Sequence, residues 1–171
     1  ASLVVDVNGG DVPHIAHFDE VNGKLGYAKY VGKDGNCGVN SSTFLFEWQC
    51  DEIATMGTNS SHPRKRDVSM ALDGEGHPII AYSWYHGNPL SIRGFSRMRP
   101  IAALGLQMGN CGPQSLWVCE RIDGSYTGDH SSIAVGPSGL VTIAYNSSEY
   151  FGSLRVAYQH YPVNLPYIER E

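Results

Sequence analysis

The sequence predicts an all-β fold. Twenty glycines and nine prolines among 171 residues favour short strands joined by tight turns. Apolar residues with helical spacing are scarce, and the best example, residues 101–106, is enclosed by Pro100 and Gly109. Runs rich in Val, Ile and Tyr instead predict strands at 2–7, 14–18, 68–72, 78–84, 131–135, 140–145 and 154–159.

Charge and hydropathy exclude several classes of protein. The formal net charge of −5 gives the chain no general attraction to nucleic acid, in spite of the short basic stretch 63–66. The sequence has no apolar run long enough to cross a membrane as a helix, and residues 1–5 are too short and uncharged for a signal peptide. We therefore expect a soluble, processed protein with no membrane or nucleic-acid partner, no metal and no cofactor.

One strand pattern occurs three times, at intervals of about 64 residues. The second strand of each copy has a small residue at the same place, namely Ala16, Ala81 and Ala144. A third strand follows in each copy and is aligned on Leu25, Leu90 and Leu154. The segments 73–76 and 136–139 join the first two strands of their copies, and we expect tight hairpins with a positive φ there.

A cysteine motif forms the fourth element of the first two copies. Asn-Cys-Gly is followed by Trp-x-Cys, at 36–38 and 48–50 in the first copy and at 110–112 and 117–119 in the second. The spacing favours disulfides Cys37–Cys50 and Cys111–Cys119, although four cysteines allow three connectivities. A four-cysteine metal site is the weaker alternative, because no Cys-x-x-Cys spacing occurs.

Three units of four strands predict three blades of a β-propeller within a single repeat domain, with blades at about 1–66, 67–128 and 129–171. Propellers close with about four to eight blades, so three blades cannot form a ring alone. We therefore expect a six-bladed ring, made by a homodimer or by pairing with a second half-propeller, in which residues 165–169 form the seam strand.

The repeated pattern resembles a known class of proteins. The run Ser69-Met70-Ala71-Leu72-Asp73, followed by Gly76-His77-Pro78-Ile79-Ile80-Ala81-Tyr82, recurs at 132–145. It is similar to the repeats of secreted β-propeller proteins of fungi and bacteria, which are distantly sialidase-like. The Asp-box pattern of sialidases, Ser-x-Asp-x-Gly-x-x-x-Trp, does not occur in the sequence. The resemblance implies blades and secretion, and it does not imply a particular reaction.

The paired cysteines also favour an extracellular location. Three acceptor sequons for N-glycosylation, at Asn40, Asn59 and Asn146, fall in predicted loops. Aromatic and polar residues leave corresponding second strands, which is typical of a sugar-binding rim. The candidate ligand-binding residues are Tyr82, Trp84, Tyr85, His86, Tyr145, Glu149 and Tyr150, with Arg93 as a possible partner for a carboxylate.

The leading hypothesis is a lectin-like protein that binds a glycan or another small molecule. The aromatic residues could instead pack between blades. The adjacent pairs Asp19-Glu20 and Asp51-Glu52 offer carboxylates, but neighbours on a strand face opposite ways and cannot act together in glycoside hydrolysis. A secreted glycoside hydrolase of sialidase-like architecture and a structural or defence protein are the alternatives, so whether the protein is an enzyme stays open.

Overall fold

The protein is described by a computed structural model over residues 1–55, 67–84, 92–98, 111–112, 116–121, 127–147 and 153–159. These residues form twelve β-strands and no helix, which confirms the all-β prediction. Among them, accordingly, no helix has the length and hydropathy needed to cross a membrane.

The strands form three antiparallel sheets in chain order. The first sheet has five strands in the order β1-β2-β3-β5-β4, one more than the sequence predicted. Its strands are β1 (Ser2–Asp6), β2 (Val12–Asp19), β3 (Lys24–Tyr30), β4 (Cys37–Val39) and β5 (Phe46–Thr55).

The other two sheets have strands that are neighbours in space in the order of the chain. The second sheet contains β6 (Asp67–Leu72), β7 (Pro78–Trp84), β8 (Ile92–Met98) and β9 (Trp117–Arg121). The third sheet contains β10 (Thr127–Val135), β11 (Val141–Ser147) and β12 (Ser153–Gln159). The expected seam strand at 165–169 lies outside the described residues.

The first two strands of each sheet pair in the same register. Ala16, Ala81 and Ala144 lie opposite Ser2, Ser69 and Ser132. The third strands continue this register and place Tyr27, Phe95 and Val156 opposite the same alanines. The predicted alignment of Leu90 with Leu25 is therefore wrong: Leu25 lies opposite Phe18, and the matching place opposite Ser83 is taken by Arg93.

The predicted hairpin turns are confirmed. Gly76 has a φ of 80° and donates its N–H to the Asp73 carbonyl at 3.0 Å. Gly139 has a φ of 76° and donates to the Gly136 carbonyl at 2.9 Å. Glycine suits both places because a side chain would be strained at these angles.

Two apolar clusters hold the sheets together, one between the first and second sheets and one between the second and third. The first cluster includes Leu25, Tyr27, Met70, Ile80 and Trp117. The second includes Ile79, Ala81, Ile133, Val141 and Ile143. Successive residues of β7, such as Ile79 and Ile80, thus contribute to different clusters, because neighbouring side chains of a strand point to opposite faces.

The first strands of the sheets also contact one another, β1 with β6 and β6 with β10. Each is an edge strand of its own sheet. The hydroxyl of Ser2 accepts the backbone N–H of Met70 at 3.0 Å, and the hydroxyl of Ser69 accepts the N–H of Ile133 at 3.1 Å. The same serine position therefore joins one sheet to the next at both junctions.

Candidate functional site

A cleft of about 350 Å³ lies on the first sheet and is open to solvent. It runs across the strands from His17 on β2, over Gly26 on β3, to Glu52 on β5 and the Cys37–Cys50 disulfide. His17 and Cys50 alternate with Ala16 and Asp51, whose side chains face the second sheet. The cleft therefore opens on the side of the first sheet that faces away from the second.

The floor of the cleft depends on the absence of a side chain at residue 26. A Cβ atom on Gly26 would lie 2.7 Å from Nε2 and 2.8 Å from Cε1 of His17. The imidazole ring of His17 thus lies directly over the Gly26 backbone, where its partly exposed side chain borders the cleft.

An ion pair crosses the cleft between two strands. The ammonium group of Lys24 lies 2.6 Å from Oε2 of Glu52, while the hydroxyl of Thr55 donates to Oε1 at 2.8 Å. The Lys24 ammonium and the Thr55 hydroxyl hold the pKa of the Glu52 carboxyl below its usual range, and Glu52 in turn raises the pKa of Lys24. Both groups are therefore charged at neutral pH.

A second carboxylate is fixed by the turn after β2. Oδ2 of Asp19 accepts the Asn22 amide at 2.6 Å, and Oδ1 accepts the backbone N–H groups of Val21 and Asn22 at 3.0 and 3.1 Å. The Asn22 side chain, followed by these N–H donors, lowers the pKa of Asp19. Asp19 on β2 and Glu52 on β5 thus place two ionised carboxylates in the cleft, and hydrogen bonds fix their positions.

The disulfide at the far end of the cleft is one of two that the structure contains, Cys37–Cys50 and Cys111–Cys119. These are the pairings that the sequence favoured, and no cysteine is free. Beside the cleft, the Asn36 side chain accepts the Cys50 N–H at 2.6 Å and donates to the Cys50 carbonyl at 2.9 Å.

The repeated cysteine motif also sets the place of a tryptophan. Gly38 and Gly112, with φ of 67° and 74°, lie against the rings of Trp48 and Trp117. An added Cβ on either glycine would be 2.5 Å from the Cδ1 atom of the ring. Since a side chain would displace the ring, the glycine of Asn-Cys-Gly is needed to seat the tryptophan of Trp-x-Cys.

A buried polar network lies behind the cleft, between the first and second sheets. The Trp117 indole N–H donates to Oδ2 of Asp51 at 3.2 Å, and its ring meets Tyr27 edge-on at 5.2 Å. The Tyr27 hydroxyl is hydrogen-bonded to Nδ1 of His14 at 2.7 Å. Burial raises the pKa of Tyr27 and lowers that of His14, so both stay neutral at pH 7.

The structure places the predicted ligand-binding residues at several sites. Tyr82 and Tyr145 lie in the clusters between sheets with 5% and 8% exposure, so little of either ring is free to stack on a ligand. Both side chains therefore pack between sheets. Trp84 is the last residue of β7 and Arg93 lies on β8. Tyr85, His86, Glu149 and Tyr150 lie outside the described residues.

The sequons occupy different kinds of backbone. Asn40 follows β4 in a loop, as expected, but its amide nitrogen donates to Glu47 Oε1 at 2.7 Å, a contact that a glycan would have to break. The expectation of a loop at Asn146 is wrong, because this residue lies in β11 with its carboxamide oxygen buried. Asn59 lies outside the described residues.

Sequence reasoning missed His17, Lys24 and Glu52 as members of one site. One signal was present: His17 stands where the second and third copies have Tyr82 and Tyr145. The pairing of Gly26 with Glu52 could not be seen, because it depends on a register shift between β3 and β5.

Within the described ranges, no group of three or more His, Cys, Asp or Glu side chains is placed to hold a metal ion. No known family model matches the chain, and no curated protein matches it with significant similarity.

Proposed function

We propose that the protein is a secreted, lectin-like carbohydrate-binding module, that its three sheets are successive blades of a β-propeller, and that the cleft binds a neutral sugar. The observation that carries the binding proposal is the composition of the cleft. It combines fixed, charged hydrogen-bonding groups with the apolar surface of the Cys37–Cys50 disulfide.

The arrangement of the sheets supports the propeller. Each sheet is an antiparallel meander in its first three strands, and the first strands of successive sheets contact one another. This is how the inner strands of neighbouring blades meet around an axis. The hydrogen bonds of Ser2 and Ser69 to the following sheet repeat at both junctions, as neighbouring blades with one geometry require.

The chemistry of the cleft suits a polyhydroxylated ligand. Sugar hydroxyls both donate and accept, so they can bridge the Glu52 carboxylate and the Lys24 ammonium, and hydrogen bonds to charged groups are the stronger ones. The C–H face of a pyranose can pack on the disulfide and the His17 ring. Asp19 and Glu52 outnumber Lys24, so an anionic sugar would be repelled and a neutral one is favoured.

The cleft supports binding in preference to glycoside hydrolysis. Hydrolysis by a pair of carboxyl groups requires one that keeps its proton near neutral pH and donates it to the leaving oxygen. Asp19 and Glu52 both have pKa values below their usual range, so neither is suited to donate a proton. The two disulfides support secretion, since such bonds persist in oxidising compartments.

The test is a glycan array with neutral and sialylated sugars, run with the wild-type chain, Glu52→Gln and the control Glu75→Gln. Glu75 is an exposed carboxylate in the β6–β7 hairpin, away from the cleft. We expect binding to neutral sugars, an affinity about tenfold or more lower in Glu52→Gln, and no change in the control. Binding confined to sialylated sugars, or equal binding by all three proteins, would contradict the proposal.

A second variant tests the geometry without changing any charge. Gly26→Ala places a methyl group against the His17 ring and should displace it into the cleft. We expect weaker binding with the same far-ultraviolet spectrum. A panel of chromogenic glycosides run beside the array tests the hydrolase alternative, because turnover that Glu52→Gln abolishes would favour an enzyme over a lectin.

A further inference from the structure

Two apolar sheet faces are exposed at opposite ends of the stack of three sheets. The first-sheet end face consists of Leu3 and Val5, 63% and 42% exposed, together with the half-buried Trp48. These residues share one face of the sheet. Val5 is aligned across the strands with Trp48, and Leu3 is aligned with Cys50. Trp48 and Cys50 are two residues apart on β5, so they point to the same side. The third-sheet end face consists of Leu154, Val156 and Tyr158, 74%, 41% and 68% exposed.

The end faces match the faces that are already packed inside the molecule. Leu3 on β1, Met70 on β6 and Ile133 on β10 occupy equivalent positions. Each directly follows the serine that pairs with an alanine of the second strand. Met70 is 4% exposed and packs toward the first sheet, and Ile133 is 9% exposed and packs toward the second. Leu3 therefore presents the surface that each later sheet presents to the sheet before it.

Trp48 of the first sheet and Val156 of the third sheet also correspond to residues that are packed at the junction of the first two sheets. Trp117 is fully buried against Tyr27 of the preceding sheet, whereas Trp48, its counterpart in the first cysteine motif, lies on the end face. Val156 occupies the register position of Tyr27. The third sheet thus offers at Val156 the surface that receives Trp117 at the inner junction, and that surface is complementary to the first-sheet end face.

We propose that a second copy of this chain covers both end faces. The first-sheet end face of each copy packs on the third-sheet end face of the other, about one twofold axis. The two seams are then identical and close a ring of six sheets. In each seam Ser132 accepts the N–H of Leu3 from the other copy, as Ser2 and Ser69 do for Met70 and Ile133. The assembly rests on the packing of the sheets and not on sugar binding. The cleft opens on the same side of the first sheet as Leu3, and His17 holds the position of Tyr82, which is buried at the inner junction. The second copy therefore covers the cleft, and it competes with a sugar for this side of the sheet.

The test is sedimentation of the 171-residue chain at micromolar concentration, with variants that place a charge in either face. Leu3→Arg and Leu154→Arg each alter a side chain that is exposed in the single chain, so folding should be unaffected. Val21→Arg is the matched control, because Val21 is 83% exposed but lies in the turn after β2, off the sheet faces.

We expect a dimer for the wild type and the control and monomers for the two end-face variants. A mixture of Leu3→Arg with Leu154→Arg should recover some dimer, because one seam of the mixed pair is intact. A wild-type monomer, an open-ended polymer, or a dimer that withstands both substitutions would overturn the proposal. Sugar binding by the monomeric variants would leave the proposed function standing.

Discussion

Replacing Trp117 by Phe tests how the first two sheets are held together. Trp117 is fully buried and donates its indole N–H to the Asp51 carboxylate, which is 9% exposed. Phe keeps an aromatic ring beside Tyr27 but removes this donor. Loss of a hydrogen bond to a buried charged group costs about 1.5–3 kcal/mol, and the smaller ring costs about 1 kcal/mol more. We expect the free energy of unfolding to fall by roughly 2.5–4 kcal/mol.

The matched control is Trp48→Phe, which alters the same motif on the first-sheet end face. Trp48 is half-buried and meets Tyr30 edge-on at 5.4 Å, a contact that Phe can keep. We expect a loss of no more than about 0.5 kcal/mol. Both substitutions are made in the Leu3→Arg background, so that association of chains does not contribute.

The assay is unfolding by urea under non-oxidising, non-reducing conditions that keep both disulfides. With a urea dependence of about 1–3 kcal/mol per molar, Trp117→Phe should lower the midpoint by roughly 1–2 M. Asp51→Asn should then cost less in the Trp117→Phe chain than in the chain with Trp117, since the two residues interact. Equal losses for Trp48→Phe and Trp117→Phe would refute the inferred packing of the second sheet on the first.

Three further predictions concern pH, turns and cross-links. Burial lowers the pKa of His14 from 6.5, so the unfolded chain takes up this proton at a higher pH than the folded chain, and stability should fall as pH drops through 6.5. Urea midpoints measured across this pH range should fall less in His14→Gln. An equal fall in both proteins would contradict this prediction. Gly139→Ala should lower the free energy of unfolding by about 1 kcal/mol because of its positive φ. Gly76→Ala should lower it by more, because its Cβ would also meet the Asp6 carboxylate. Equal urea midpoints for the two variants would contradict this prediction. Replacing Cys37 and Cys50 by Ala should cost about 3 kcal/mol, measured in the same way, and an unchanged midpoint would contradict that value.

Features that depend on local chemistry could be predicted from the sequence. The hairpins at Gly76 and Gly139 require a positive φ, and the sequence marks such places directly. The disulfide pairings follow from a motif that recurs within a short separation, 13 and 8 residues. The runs rich in Val, Ile and Tyr likewise indicated strands, because β-branched and aromatic side chains fit the extended, pleated backbone.

Features that depend on register could not be predicted. In the second sheet, Gly94 on the third strand pairs with Tyr82, as Gly26 pairs with His17 in the first sheet. The apparent match of Leu90 with Leu25 reflects only a shared residue type. Tyr82 and Tyr145 looked like rim residues, yet they pack between sheets, because the sequence does not reveal which face of β7 or β11 meets the next sheet. The cleft combines residues of β2, β3 and β5, and their proximity arises only once the sheet is formed.

The most direct test of the central claim locates the sugar on the protein. Amide chemical shifts are recorded by ¹H–¹⁵N NMR while a neutral oligosaccharide is added to the Leu3→Arg chain, in which no second copy covers the cleft. We expect saturable shifts at His17, Gly26 and Glu52, the residues that lie across the cleft, and no such shifts when Glu52→Gln is added to this chain. Saturable shifts confined to the second and third sheets, or no shift with any neutral sugar, would contradict the claim that this cleft binds carbohydrate.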